Sequence, residues 1–320
     1  MQTIPRWQKV IQRVVAAKIA ATLATLLVVI GCRDKANSEC PEMTATPVAG
    51  TAVSSDGVPI YYEVHGAGTP ALVFVHGWSC DSSYWNAQVA HFNSRYKVVT
   101  IDLAGHGNSG LGRAEWTIAA FGQDVEAVVK ELDLNQVVLI GHSMGGDVIV
   151  EAIRQIPRRV IGLVVVDAFR SLETRLSQEQ IERFLLPFRA NFGETTSRFV
   201  QSLFAATSDP ALVEETAIDM STAPREVALA SLEALHRWRS DELRDALGQV
   251  TVPIAAINSD MRPTDVQGFE STFSSFKFMI LPGVGHFVMM EDPETFNRLL
   301  ADVVQELKSA APLPRSAPKP

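Results

Sequence analysis

Val137-Val138-Leu139-Ile140-Gly141-His142-Ser143-Met144-Gly145-Gly146 reads as a strand running into a tight turn and then a helix. The β-branched run Val137 to Ile140, closed by a turn residue, is how a buried parallel strand looks. The next five residues fit G-x-S-x-G, and Gly145 to Ile156 carries a helix pattern. A sharp strand-to-helix turn needs glycines where backbones approach, and it leaves the serine strained and exposed above a helix N-terminus. The hydroxyl of Ser143 is a poor nucleophile unaided, so the fold must bring a base to it. The stretch predicts an α/β fold with Ser143 as nucleophile.

Working outward, strand and helix patterns alternate from residue 52, which argues a mostly parallel sheet flanked by helices. Val58 to Val64, Ala71 to Val75, Lys97 to Leu103, Val160 to Val166, Val252 to Ile257 and Phe276 to Leu281 are the other strand runs. Helices are expected at Ser83 to Phe92, Ile118 to Leu132 and Pro293 to Lys308. In the second of these, Phe121, Val125, Val128, Val129 and Leu132 follow one-faced helical spacing. Arg170 to Trp238 breaks the alternation: it holds no strand candidate and reads as several helices punctuated by Pro187, Gly193, Pro210 and Pro224. We read 51–169 and 239–309 as one α/β core and 170–238 as a helical cap over the carboxyl edge of the sheet. That edge is where open α/β sheets bind ligands.

Two further loops carry chemistry. His76-Gly77-Trp78 follows the strand ALVFV. Acyl transfer needs preorganised N–H donors for the negative oxygen that forms on the carbonyl. The backbone amides of Met144, after the nucleophile, and of Trp78 are the expected pair. Gly283-Val284-Gly285-His286-Phe287 follows the strand FKFMIL, and His286 alone of seven histidines lies beyond the last strand, in the order nucleophile, acid, base. His76, His106 and His142 stand in motif loops and are candidates to line the site. His65, His91 and His236 read as surface or packing residues.

With Asp102-Leu103-Ala104-Gly105-His106-Gly107-Asn108-Ser109 added, residues 52 to 309 resemble an α/β-hydrolase fold protein of the branch holding esterases, lactonases, cofactor-free haloperoxidases and C–C bond hydrolases. Asp102 resembles a turn-forming position there and is assigned structure. The chain departs from the family pattern at the acid. Aligning Pro253 with the family's P-x-L-x-I-x-G-x-x-D segment puts Ser259 at the glycine and Arg262 at the acid, with Asp260 two residues early. The resemblance allows a second placement at the end of the sixth strand, where Asp167 follows Val166. The acid must hold the imidazole in one tautomer and stabilise its cation. Either aspartate can do so, and Asp167 is preferred to Asp260.

The first 31 residues differ from the rest. Arg6, Lys9, Arg13 and Lys18, with no acid, precede an uncharged apolar stretch from Ile19 to Gly31. That stretch is shorter than the roughly 20 residues a membrane-spanning helix needs, and it has the plan of a secretory signal peptide. Val29-Ile30-Gly31-Cys32 resembles the lipobox of bacterial lipoproteins, which implies a lipid on Cys32 and export to the periplasmic face of the cell envelope. Residues 32–50 read as a flexible tether, and 310–320, rich in proline, as a disordered tail. Cys40 and Cys80 can be bonded or free thiols.

The net charge of −8, with no basic run in the body of the chain, argues against nucleic acid as a partner. Losing the signal segment removes four basic side chains, so an anionic membrane is a poor electrostatic partner and the anchor must be the lipid. No phosphate loop or zinc spacing occurs, and no cofactor is implied. The expected function is hydrolysis of a small or medium apolar ester or lactone through an acyl-enzyme. C–C bond hydrolysis and perhydrolysis use the same three residues, and a slow ligand-binding protein on the same fold is a reading of another class. Epoxide hydrolysis and dehalogenation are disfavoured, because relatives doing those reactions carry aspartate where this chain has Ser143.

Overall fold

Strands and helices alternate along the chain in the computed structural model, which describes residues 47–273 and 276–310. The strands are β1 (Val48–Val53), β2 (Pro59–His65), β3 (Ala71–Val75), β4 (Lys97–Ile101), β5 (Val137–His142), β6 (Val160–Val166), β7 (Ile254–Ser259) and β8 (Phe276–Leu281). They form one sheet in the order β1-β2-β4-β3-β5-β6-β7-β8. β2 is antiparallel to both β1 and β4, and the other neighbours are parallel. All residues of β3, β5 and β7 are buried. A strand covered on both faces has no reason to alternate, which is why these segments are continuous apolar runs.

The helices are α1 (Asn86–Phe92), α2 (Ile118–Glu131), α3 (Met144–Gln155), α4 (Gln178–Ala190), α5 (Phe192–Gln201), α6 (Pro210–Ser221), α7 (Arg225–Asp241), α8 (Leu243–Gly248), α9 (Val266–Thr272), α10 (Val288–Glu291) and α11 (Pro293–Ala310). α2 and α3 pack on each other, and α11 packs on α1 and on β6, β7 and β8. Side-chain caps fix several starts: Thr117 accepts from Ala120 N at α2, and Ser177 and Gln180 form a reciprocal capping box at α4. α4 to α7 are the all-helical stretch between β6 and β7.

Several boundaries differ from the sequence expectation. β1 begins at Val48, so the last three residues assigned to the tether are the start of an edge strand paired with β2. Mostly exposed and mostly small, VAGTAV has too little apolar alternation to read as a strand alone. α7 runs to Asp241, three residues past the expected end of the helical stretch. The segment Ser83 to Phe92 divides into a 3-10 turn, Ser82–Trp85, and α1. α8, α9 and α10 were not anticipated: at four to seven residues they are too short to show a helical period. The signal segment, Cys32, Cys40 and residues 311–320 lie outside the described residues.

Candidate active site

β3, β5, β6, β7 and β8 run parallel, so the residues that leave their carboxyl ends meet at one edge of the sheet. Those residues are Gly77 and Trp78, Ser143, Asp167, Arg262 and His286. Ser143 sits between β5 and α3 with φ 51° and ψ −117°, a conformation an L-residue adopts only under constraint. Its N–H donates to Val166 O at 2.9 Å, and its carbonyl accepts from Gly146 N at 2.9 Å. Close packing explains the flanking glycine: a Cβ on Gly145 would lie 2.4 Å from Val75 O and 2.6 Å from His76 O. The turn is therefore pressed against the end of β3. A Cβ on Gly77 would be 3.3 Å from Ser143 Cβ, so the loop after β3 passes directly beside the serine.

Neither the backbone amide of Trp78 nor that of Met144 has an acceptor among the described residues. Two free N–H groups beside the serine can serve a developing oxyanion. The Trp78 indole is buried and fixed by its own bond, Nε1 donating to Ala228 O at 2.7 Å, which ties the β3 loop to α7.

The loop carrying His286 is held from three sides. His286 N donates to Leu203 O at 2.7 Å, and His142 Nε2 donates to His286 O at 3.0 Å. Glu291 accepts from Gly285 N at 2.9 Å and from Phe287 N at 3.2 Å, the amides on either side of the histidine. Gly285 is required by the contact with the helical stretch, since a Cβ there would meet Leu203 O at 2.4 Å.

Asp167, at φ 47° after β6, accepts from His286 Nδ1 at 2.6 Å. Its other oxygen accepts from Ser259 N at 2.6 Å and from Arg170 Nη2. Burial alone would raise the Asp167 carboxyl; its bond to His286 and the charges of His286 and Arg170 outweigh that and hold it at about 2. Asp260, the alternative, is exposed, and its carboxylate accepts from Gly283 N at 3.0 Å. No hydrogen bond or salt bridge joins it to His286 among the described residues. It caps the start of the His286 loop, which corrects its candidacy as partner of the imidazole. An imidazole held through Nδ1 by a buried carboxylate has Nε2 left to take a proton.

The other histidines divide differently from expectation. His142 lines the cavity, and burial, followed by the charge of His286, pushes it down to about 3. His76 and His106 do not line it. His76 Nδ1 donates to Gly77 O and its Nε2 accepts from Leu103 N, while His106 Nδ1 donates to Ala104 O. His76 thus ties the β3 loop to the β4 loop, while His106 bonds within the β4 loop and packs its ring against His76. His236, read as a surface or packing residue, lines the cavity with its buried Nε2 unpartnered by protein. Asp102 is structural as expected, accepting from Ser82 N and Asn108 N, both at 2.8 Å.

A cavity of about 300 Å³ opens over this edge, with Trp78, Phe184, Phe199, Leu232 and Leu235 on its apolar side. α4, α5 and α7 supply most of that wall. Arg239 of α7 clamps the buried Asp147 of α3 through bonds of 2.6, 2.9 and 3.1 Å, and its Nη2 lies 3.4 Å from Ser143 O. Sequence reading found neither this pair nor Arg170. Arg239 reaches Asp147, and Arg170 reaches the loop after β7 as well as the nearby Asp167, through side chains that read as ordinary surface charges.

Several known proteins are similar to this chain. An uncharacterised protein of Mycobacterium tuberculosis is 29% identical over 157 residues, 46% of this chain and 46% of its own length, so the match spans about half of that relative. The pimeloyl-[acyl-carrier protein] methyl ester esterase of Yersinia enterocolitica is 24% identical over 77% of this chain and 98% of its own. A thermophilic esterase from Thermogutta terrifontis superposes with a TM-score of 0.70 at 22% identity, covering 82% of this chain and 99% of that one. The family model described as the alpha/beta hydrolase family matches residues 72–299, which include Trp78, Ser143, Asp167 and His286, and the chain therefore belongs to that family.

Proposed function

We propose that the protein is a serine hydrolase that cleaves a small or medium apolar ester or lactone through an acyl-enzyme. The observation that carries this reading is the bond of 2.6 Å from His286 Nδ1 to the buried Asp167, at the sheet edge where the strained Ser143 stands. His286 Nε2 takes the Ser143 proton as Oγ attacks the substrate carbonyl. Asp167 holds the tautomer and stabilises the imidazolium. The oxyanion is received by the amides of Trp78 and Met144. Collapse breaks the ester bond, and the imidazolium gives its proton to the departing alkoxide. Water, deprotonated by the same imidazole, then releases the acid and restores Ser143.

Helices α4 to α7 act as a cap. Their apolar wall excludes water and sets the size of the acyl or alkyl group, and a cavity of about 300 Å³ suits a small or medium one. The esterases among the similar proteins support ester cleavage. The sequence Val29-Ile30-Gly31-Cys32 supports export, with a lipid on Cys32 as the membrane anchor.

The test is hydrolysis of a panel of esters and lactones by the wild type and by Ser143→Ala. The variant should stay folded and lose on the order of 10⁴ to 10⁶ in kcat, because the three residues act as a unit. Activity within tenfold of wild type in a folded Ser143→Ala would exclude Ser143 as nucleophile.

A further inference from the structure

The cavity is not uniformly apolar. Its lining carries three guanidinium groups, Arg170, Arg239 and Arg262, and one carboxylate, Asp167. Two of the three are committed: Arg170 to Asp167, and Arg239 to Asp147. Arg262 forms no salt bridge and no side-chain hydrogen bond among the described residues, although Asp260 and Asp265 are near it in sequence. It is a solvated cation at an apolar cavity.

The position of Arg262 is fixed from behind. Arg170 Nη1 donates to Arg262 O at 2.8 Å, to Ser259 O at 2.9 Å and to Thr264 Oγ1 at 2.9 Å. Asp265 N donates to Arg170 O at 2.8 Å, and Asn258 Nδ2 donates to both Ala168 O and Thr264 Oγ1. The loop after β7 is thus stitched to the residues after β6, while the exposed Arg262 side chain has no hydrogen-bonding or ionic partner among the described residues. A loop held this tightly fixes the backbone from which the side chain reaches, which lowers the entropy lost on binding.

We infer that Arg262 is an anion subsite, and that the preferred substrate is an ester whose apolar body ends in a carboxylate. A guanidinium meets a carboxylate with two parallel N–H donors. A charge at the rim of an apolar cleft also gains from the low dielectric beside it. The apolar wall from α4, α5 and α7 takes the hydrocarbon part, and the β6–β7 wall takes the charged end. The inference rests on the serine-esterase reading above and adds the substrate class to it.

Two matched pairs of esters test it: the mono-para-nitrophenyl ester of adipic acid against para-nitrophenyl hexanoate, and para-acetoxybenzoate against phenyl acetate. The first pair places the carboxylate on the acyl side and the second on the leaving side. The readout is the ratio of kcat/KM, charged over neutral, corrected for spontaneous hydrolysis. In at least one pair Arg262→Gln should lower that ratio by about tenfold, the scale of a hydrogen bond to a charged group. Arg262→Glu should lower it further, and Arg262→Lys should restore part of it. A ratio indifferent to all three variants in both pairs would overturn the subsite while leaving the esterase reading intact. No cleavage of any of the four esters by the wild type would overturn both together.

Discussion

Arg170 binds the oxygen of Asp167 that His286 leaves free. One guanidinium thus faces the acid through Nη2 while its Nη1 holds the loop after β7. The arrangement lets the carboxylate sit at the end of β6 with a counter-ion from the same turn. In the region where the family resemblance places an acid, this chain carries Arg262.

Removing that counter-ion gives a prediction with a sign. An adjacent charge moves a titration by roughly one unit or more. In Arg170→Gln the Asp167 carboxyl loses a charge that helps to hold it low, so its titration, followed by side-chain carboxyl 13C NMR, should move to higher pH. Arg170→Lys should bring it part of the way back. An unmoved Asp167 titration with only a lower kcat/KM would mean that Arg170 is structural and does not tune the site.

The two aspartates should separate cleanly. Asp167→Asn is expected to cost up to about 10⁴ in kcat, the loss seen when a triad carboxylate becomes an amide. Asp260→Asn removes a cap on Gly283 N and should stay near wild-type kcat with a small loss of thermal stability. Kinetics on both, after checking that each melts cooperatively, decide the matter. The reverse order of effects would return the acid to the loop after β7.

Much of this was legible because the deciding features are local. Glycines around Ser143, a β-branched strand before it and a helix after it are contiguous, and sheet topology then brings the ends of parallel strands together. The choice between Asp167 and Asp260 was not local. They stand at the ends of two neighbouring strands, and only the positive φ at Asp167 and the three-way use of its carboxylate show which one reaches the imidazole. His236 was misread for the same reason: what puts it on the cavity is the packing of α7, and nothing beside it in sequence. β1 was missed because an edge strand needs no apolar alternation.

Stability should fall as the solution is acidified below neutrality. Burial pushes His106 from 6.5 down to about 3, helped by the charge of His76. His142 behaves likewise, and burial with Arg239 takes His236 to about 4. Their folded values lie below the unfolded one, so their contribution is present above about pH 6.5 and is lost as pH falls, when the unfolded chain binds protons first. Each histidine adds at most about 1.4 kcal/mol per pH unit in that window. Urea unfolding at neutral pH and near pH 5 should show the loss, and His106→Asn should reduce the slope. Equal stability at both values would mean that the folded protein takes up as many protons between them as the unfolded chain does.

Membrane attachment should depend on one sulfur atom. Expressed in a bacterium, the full chain is expected to partition with membranes and to incorporate labelled fatty acid, while Cys32→Ser should do neither. One acyl chain binds only marginally, so retention requires the several chains of a mature lipoprotein. Label persisting in Cys32→Ser would place the lipid on another residue.

Acylation of Ser143 is the covalent step expected of this site. Its most direct measurement is intact-protein mass spectrometry of the enzyme quenched during turnover of a slowly deacylating para-nitrophenyl ester, followed by peptide mapping. One added acyl group per chain is expected, on the peptide carrying Gly141-His142-Ser143-Met144-Gly145. It should accumulate as para-nitrophenol is released in a burst and be absent in Ser143→Ala. An acyl group on another residue, or turnover with no Ser143 adduct while Ser143→Ala keeps its activity, would contradict it.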